Sequence, residues 1–130
     1  MTETVNVRDG LFRAGPEGPV LLGARCTSCG DVRFPASPLC PECLSADSEE
    51  ADLGATGTLF SFTVVHMKSV HFDPPYAVGY VDMAAGPRVF TPLVIDAAKP
   101  FAVGMAMALE VLPMWNEGES QVTAFRFRPS

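Results

Sequence analysis

The sequence predicts a mainly β protein in two parts, a small cysteine-rich ribbon followed by a five-stranded barrel. All four cysteines lie between positions 26 and 43, and no other part of the chain contains one. The segments after Gly57 are rich in Val, Thr and Phe, residues that suit a pleated, half-buried surface. Twelve prolines and eleven glycines among 130 residues favour many turns over long helices.

Five segments after residue 54 have the composition of strands. They are GTLFSFTVVHM (57–67), YAVGYVDM (76–83), RVFTPLVI (88–95), MAMALEVL (105–112) and VTAFRFRP (122–129). A helix over residues 98–112 is less favoured, because Pro100 and Gly104 interrupt it. Five strands without a second apolar unit to cover an open sheet would most simply close into a barrel. The OB fold is the five-stranded barrel expected at this size.

Changes of composition divide the chain into three regions. Residues 1–22 are expected to form a loose N-terminal arm, because Gly15-Pro16 and Gly18-Pro19 prevent a long helix. The arm should end in a short strand from Val20 to Arg25. The zinc ribbon is assigned to residues 23–50 and the OB-fold domain to residues 55–130. The acidic segment 45–54 is interpreted as a connector between the two folding units.

Charge and hydropathy favour a soluble, cytoplasmic protein. No apolar stretch approaches the roughly 20 residues of a membrane helix, and the first ten residues do not have the pattern of a signal peptide. The formal net charge is −6. Proteins that depend on phosphate contacts usually present a basic face, so the charge disfavours nucleic-acid binding.

The cysteines predict a structural metal site. Cys26 and Cys29 form one C-x-x-C unit, and Cys40 and Cys43 form a second after ten intervening residues. Four thiolates make a closed tetrahedral zinc site with no position left for substrate. Iron in a rubredoxin-like site would use the same ligands. Leu44 stands where the second knuckle would favour glycine, at a cost of about 1–2 kcal/mol if its backbone is left-handed.

The run from Arg25 to Cys43 resembles the DUF35 family of zinc-ribbon OB-fold proteins. The shared pattern is a C-x-x-C-G knuckle, the pair Phe34-Pro35, and then C-P-x-C. Segments 57–63, 74–82 and 125–129 are also similar to the family. Two departures are the short Gly/Pro-interrupted arm, where many members carry a longer helical segment, and the missing glycine at position 44.

The resemblance implies a fold and a role. The fold is a rubredoxin-like zinc ribbon followed by a five-stranded OB-fold barrel. The role is a non-catalytic accessory subunit that holds a thiolase-fold partner (an acyl-CoA thiolase, acyltransferase or aldolase) and helps to bind its acyl-CoA.

Candidate contacts to CoA and to the partner follow from that role. A CoA-binding face needs Lys or Arg for phosphate together with apolar surface. The candidates are Arg33, Phe34, Lys68, Arg88 and Lys99, the last together with Phe101. Met114 and Trp115, which follow Pro113 in a predicted loop or strand end, are candidates for a partner interface because flexible Met and exposed Trp suit docking surfaces.

Two other functions remain open. The chain could bind single-stranded nucleic acid, with Phe60, Phe62 and Tyr80 as stacking platforms. It could also act alone as an acyl-CoA hydrolase or hydratase, but the sequence has no Gly-x-Ser-x-Gly motif and no Gly-rich phosphate loop. His66 and His71 are more simply interpreted as polar side chains at a strand end than as a catalytic base.

Overall fold

Ten strands make up the regular structure of the residues that the structure describes. The computed structural model describes residues 3–6, 11–15, 18–69 and 72–130. The strands are β1 Glu3–Asn6, β2 Phe12–Gly15, β3 Gly18–Cys26, β4 Val32–Arg33, β5 Ser48–Gly54, β6 Thr56–Val65, β7 Tyr76–Met83, β8 Arg88–Leu93, β9 Ala106–Glu117 and β10 Ser120–Pro129. None of the described residues belongs to a helix long and apolar enough to cross a membrane.

Strands β6 to β10 close into the predicted five-stranded barrel. Strand β7 pairs antiparallel with β6 and β8, and β8 pairs parallel with β10. Strand β10 pairs antiparallel with β9, which returns to pair with β6. Because β9 pairs with both β10 and β6, the series β6, β7, β8, β10, β9 closes on itself and leaves no open edge between these strands. The mainly β fold class and the barrel are confirmed.

Alternation of buried and exposed side chains along the strands explains the barrel interior. Along β7 the side chains of Ala77, Val81 and Met83 are buried, whereas Tyr80 between them is exposed. This period of two is required because successive side chains of a barrel strand point to opposite faces. The fully buried core residues come from several strands and include Leu59, Val81, Val89, Met107 and Phe127.

The connection between β8 and β9 contains no helix. Residues 94–105 form turns, and Phe101 and Met105 pack against the core. The backbone N–H of Gly104 donates to the Leu59 carbonyl at 2.8 Å, and the Leu59 N–H donates to the Met105 carbonyl at 2.9 Å. The preference for a strand over a helix in the segment before residue 112 is therefore confirmed.

Two described segments of the predicted N-terminal arm form strands. Instead of a loose arm, residues 3–6 form β1, which pairs parallel with β10, and residues 12–15 form β2, which pairs antiparallel with β3. Hydrogen bonds to neighbouring strands therefore order short segments that carry no strand pattern of their own. Strand β3, expected from Val20 to Arg25, extends from Gly18 to Cys26.

The acidic segment is a strand and not a simple connector. Residues 48–54 form β5, which pairs antiparallel with β3 along its length. Ala51 and Leu53 are buried, and Leu53 joins the same core as the barrel residues. The acids of β5 meet arginines of the same sheet, as in the Arg13–Asp52 pair at 3.5 Å. The ribbon sheet is thus packed directly onto the barrel.

Strand β9 continues through Pro113. Met114 and Trp115, expected in a loop or strand end, lie within β9, and Trp115 pairs with Val122 of β10. The register shifts between Val122 and Thr123, next to Pro113. A proline lacks the N–H that a regular ladder needs and is tolerated at such irregularities.

Candidate functional site

The first cysteine knuckle is a tight backbone turn. The Gly30 N–H donates to the Cys26 carbonyl at 2.9 Å, and the Cys26 N–H donates to the Asp31 carbonyl at 2.8 Å. Gly30 has a φ of 84°, in the left-handed region that glycine adopts without steric cost. The left-handed backbone therefore explains why glycine follows the first C-x-x-C unit.

The second knuckle repeats the same two hydrogen bonds. The Leu44 N–H donates to the Cys40 carbonyl at 2.8 Å, and the Cys40 N–H donates to the Ser45 carbonyl at 2.9 Å. Leu44 has a φ of 63° and is the only described residue other than glycine with a positive φ. The expected left-handed backbone at this position is confirmed, and a leucine there carries a cost of about 1–2 kcal/mol.

The two knuckles bring all four sulfurs together. The Sγ atoms of Cys26 and Cys43 are 3.5 Å apart, and those of Cys29 and Cys40 are 3.6 Å apart. All four Sγ atoms lie within 4.8 Å of one another. Metal–sulfur bonds of 2.3 Å in a tetrahedron give sulfur–sulfur distances of about 3.8 Å. The cluster therefore fits one tetrahedral metal ion, and Cys26, Cys29, Cys40 and Cys43 are the residues that would hold it.

Thiol ionisation within the cluster is uneven. The backbone N–H of Cys29 stabilises the Cys26 thiolate and lowers the pKa of Cys26 to about 6. The backbone N–H of Asp31 acts in the same direction on Cys29, but burial and the neighbouring sulfurs outweigh it and raise the pKa of Cys29 to about 12. Four adjacent thiolates repel one another, and a bound cation removes that repulsion because it requires its thiol ligands to be deprotonated.

Short polar contacts hold the two knuckles in position. The hydroxyls of Ser28 and Ser45 are 3.0 Å apart, one on each knuckle. The backbone N–H of Thr27 donates to the Asp47 carbonyl at 3.0 Å, and the Thr27 hydroxyl reaches the same oxygen at 3.1 Å. These bonds join the first knuckle to the chain that follows the second. The ligand geometry is therefore supported by hydroxyl and backbone contacts outside the sulfurs themselves.

Arg33, a candidate CoA contact, is buried within the ribbon. Only 7% of the residue is exposed. Its Nε donates to the Ser37 hydroxyl at 2.8 Å, one terminal nitrogen donates to the Ser37 carbonyl, and the same nitrogen reaches the Ser48 hydroxyl at 2.8 Å. The guanidinium thus ties the loop after β4 to the start of β5. Ser37 and Ser48, whose hydroxyls accept two of these three bonds, were not predicted from the sequence.

Phe34, the second ribbon candidate, connects the ribbon to the barrel. Its ring meets the ring of Phe125 on β10 edge-on, with centroids 5.8 Å apart. Phe12 of β2 approaches the same ring from 6.4 Å. Phe34 is half-buried and packs against the core. The contact between Phe34 and Phe125 therefore connects the ribbon to the barrel, and we call it the aromatic joint.

Arg88 lies on the outer face of the barrel. Its Nε donates to Asp82 on β7 at 2.7 Å, a bond that raises the pKa of Arg88. Its guanidinium carbon stands 3.4 Å from the centroid of the Phe60 ring, a cation–π distance. Beside this pair, the exposed rings of Tyr80 and Phe90 lie 5.3 Å apart.

The remaining basic candidates lie at one end of the barrel. Lys99 lines a cavity of about 230 Å³ together with Val64, Ile95, Pro100 and Phe101. Lys68 follows three residues after the end of β6 and is exposed. Arg88 pairs with Asp82 of β7. Val64, which lines the cavity beside Lys99, pairs with Ala77 of the same strand, five residues from Asp82. Five residues of strand span about 17 Å, so the structure separates Arg88 from the lysines.

Of the two candidate interface residues, Met114 borders a second cavity and Trp115 contacts one of its walls. Met114 lines a cavity of about 290 Å³ with Phe72, Tyr76, Ile95 and Arg126 among its walls. Trp115 is half-buried, and its ring meets that of Phe72 edge-on at 6.3 Å. Ile95 belongs to both cavities, so the two openings are neighbours. His66 is exposed beyond β6, and His71 lies outside the described residues.

Comparison with known proteins assigns both parts of the chain. Residues 13–49 match the model described as "ChsH2, rubredoxin-like zinc ribbon domain", and residues 50–112 match "ChsH2, C-terminal OB-fold domain". The chain is 31% identical to a DUF35 domain-containing scaffold protein of Methanothermobacter thermautotrophicus, over 99% of this chain and 98% of that protein.

Relatives with enzyme names match as well. The chain is 34% identical to benzoylsuccinyl-CoA thiolase subunit BbsA of Thauera aromatica, over 64% of this chain and 59% of that protein. It is also 34% identical, over 85% of its length, to a probable enoyl-CoA hydratase alpha subunit of Thermomonospora curvata, of which it spans only 34%.

A solved structure extends the similarity to three dimensions. A chain of the structure named "Ltp2-ChsH2(DUF35) aldolase" superposes with a TM-score of 0.71 at 33% identity, over 85% of this chain and 84% of that one. The similarity includes both the ribbon and the barrel.

Proposed function

Because the chain belongs to the DUF35 family, we propose that it is an accessory subunit of an acyl-CoA enzyme whose partner has a thiolase fold. The observation that carries this proposal is its similarity, at 34% and 33% identity, to a subunit of a CoA thiolase and to a chain of an aldolase complex. We infer that the chain supports acyl transfer or carbon–carbon bond cleavage on the partner.

The metal in this proposal is structural zinc. Four cysteine sulfurs within 4.8 Å of one another complete a tetrahedral coordination sphere, which leaves no position for a substrate or an activated water. Zinc would supply the charge that stabilises the thiolates and would join the two knuckles. Clustered thiols of this kind are typical of metal sites in the reducing cytoplasm, where we place the protein. Metal analysis of the purified chain distinguishes zinc from iron.

The residues available to bind acyl-CoA lie on the exposed surface and not inside the ribbon. Arg33 and Phe34 are held by contacts within the protein, and Arg88 is held by Asp82 and Phe60. Lys68 and Lys99 are exposed, and Lys99 borders an apolar cavity. Of the five candidates, we therefore assign CoA binding to the two lysines. Met114 and Trp115 remain our candidates for the partner interface.

Single-stranded nucleic acid is the alternative ligand. The exposed aromatic side chains of Phe60, Tyr80 and Phe90 on the outer face of the barrel favour it, because bases stack on such surfaces. The net charge of −6 opposes it. Arg88 contacts the ring of Phe60, but its guanidinium is already bound by Asp82.

Co-purification tests the proposal. The tagged full chain is captured from lysate of its own source, with W115A as a variant of the expected interface and F90A as an aromatic control on the outer face. We expect a thiolase-fold protein to bind the wild-type chain and F90A, and to bind W115A more weakly. Retention of nucleic acid alone, resistant to moderate salt, would replace this proposal with the alternative.

A further inference from the structure

The barrel has an apolar opening at one end. We define the barrel mouth as Phe62, Val64, Ile95, Lys99 and Phe101. Phe62 and Val64 pair with Gly79 and Ala77, two buried positions of β7, which places them on the inner side of the barrel near its end. The rings of Phe62 and Phe101 lie 5.2 Å apart. Val64 and Ile95 are nevertheless 37% and 48% exposed.

The distribution of positive charge indicates that the barrel mouth attracts an anion. Each arginine that the structure describes has a side-chain partner: Arg13 and Arg25 bind acids of β5, Arg33 binds Ser37 and Ser48, Arg88 binds Asp82, and Arg126 and Arg128 share Glu110. Lys68 and Lys99, the only lysines in the sequence, have no recorded ion pair or side-chain hydrogen bond within the described ranges. Among the described residues, the cations without a side-chain partner are thus these two lysines, and both lie near the end of the barrel that holds the mouth.

The acid nearest to Lys99 in the cavity wall is engaged by the backbone. Asp96 lines the same cavity as Lys99, and its Oδ1 accepts the Ala98 N–H at 2.9 Å. The Asp96 carbonyl also accepts the Lys99 N–H at 3.0 Å. The carboxylate therefore holds the turn that presents Lys99, and the ammonium group is left available for an anion.

The size of the cavity limits which part of a ligand can enter. A volume of about 230 Å³ corresponds to roughly seven or eight water-sized volumes. Cavities that enclose whole drug-sized ligands are about 300–1,000 Å³. One flat ring fits, with Phe101 and Val64 as apolar walls, but a complete CoA thioester does not.

We propose that the barrel mouth binds the phosphorylated adenosine end of a CoA thioester, an inference that rests on the proposed acyl-CoA role. The adenine ring enters among Val64, Ile95 and Phe101, and Lys68 and Lys99 bind phosphate oxygens. The adenosine end is favoured over the acyl end because only there do phosphates stand next to a ring. The pantetheine arm separates the acyl group from every phosphate.

This site would contribute little to specificity for the acyl group. The adenosine end is common to all CoA thioesters, so this site would bind CoA with little regard to the acyl group. The pantetheine arm and the thioester would extend beyond the barrel, where a partner can bind them. Selection of the acyl group would then belong to the partner.

Calorimetric titration of the full chain tests the site, with CoA, adenosine 3′,5′-bisphosphate and pantetheine as probes. We expect the first two to bind with similar affinity and pantetheine to bind far more weakly. The double variant K68A/K99A should lose about tenfold or more in affinity for CoA and should show a weaker salt dependence. R88A, which removes one positive charge from the outer face, should remain within about twofold of the wild type.

The outcomes separate this site from the proposed function. If the wild-type chain binds CoA but K68A/K99A binds it equally well, or if pantetheine alone competes, the site is wrong while the acyl-CoA role stands. If the wild-type chain binds neither CoA nor the bisphosphate, alone or with its captured partner, the acyl-CoA role falls together with the site. Recruitment of the partner is measured separately and is unaffected by either result.

Discussion

The ring of Phe34 in the ribbon packs edge-on against the ring of Phe125 in β10, with centroids 5.8 Å apart. This contact joins the sheet that carries the metal cluster to the strand that closes the barrel. Leu21 of β3 and Leu53 of β5 are buried in the same core as the barrel residues. The ribbon and the barrel are therefore expected to unfold together.

Truncation of the aromatic joint should destabilise the whole chain. Replacement of Phe34 by Ala removes a half-buried ring and an edge-on aromatic pair, and we expect the free energy of unfolding to fall by about 2–3 kcal/mol. Urea unfolding followed by fluorescence and by circular dichroism measures this loss. F90A, which removes a ring that is 59% exposed, should cost less than about 1 kcal/mol. Equal effects of the two variants would contradict the assigned joint.

The buried Arg33 should stabilise the ribbon from inside. The R33A variant loses the hydrogen bonds to Ser37 and Ser48, and we expect it to cost about 1.5–3 kcal/mol in free energy of unfolding. The matched control is R25A, because Arg25 forms an exposed ion pair with Glu49 at 4.0 Å, a contact expected to contribute less than about 1 kcal/mol. If R33A were as stable as R25A while CoA binding fell, Arg33 would be a ligand contact instead.

The left-handed leucine should be improved by glycine. Leu44 has a φ of 63° and its side chain is largely exposed, so L44G removes backbone strain and little packing. We expect the free energy of unfolding to rise by about 0.5–1 kcal/mol. L39G is the control, because Leu39 is also exposed but has no positive φ, and there glycine should be destabilising. A loss of stability in L44G would contradict backbone strain at Leu44.

Metal removal should affect the ribbon first. Chelation should release one metal ion per chain, as expected for a single four-sulfur site, and should abolish slow hydrogen exchange at the amides of Cys26 and Cys40, whose N–H groups close the knuckles. Exchange at Leu59 in the barrel should change less. C29S should lose stoichiometric metal, whereas S28A at the neighbouring position should retain it. Full metal retention by C29S would contradict a four-cysteine site.

The barrel could be predicted from the sequence because its strands carry local signals. Segments such as YAVGYVDM alternate buried and exposed positions, and the observed β7 has the predicted bounds Tyr76–Met83. The cysteine cluster was equally predictable, since each C-x-x-C unit fixes its own turn. Each of these signals lies within a short stretch of chain, eight residues for β7 and the length of one C-x-x-C unit for each knuckle.

The features that escaped prediction depend on distant partners. The acids of β5 have the composition of a solvated connector. Their ion pairs with Arg13 and Arg25, which lie on other strands, are visible only in the folded chain. The burial of Arg33, a candidate CoA contact, escaped prediction because a single sequence does not reveal burial. The barrel mouth combines the end of β6 with residues 95–101, thirty positions away, and no periodicity links the two segments.

The central claim is that this chain supports catalysis by a thiolase-fold partner without catalysing the reaction itself. The most direct measurement is turnover of an acyl-CoA by the purified partner alone, by this chain alone and by the reconstituted complex. We predict activity in the complex, little or none with either component separately, and loss of activity with C29S but not with S28A. Turnover by the isolated chain, or full activity of the partner without it, would contradict the account.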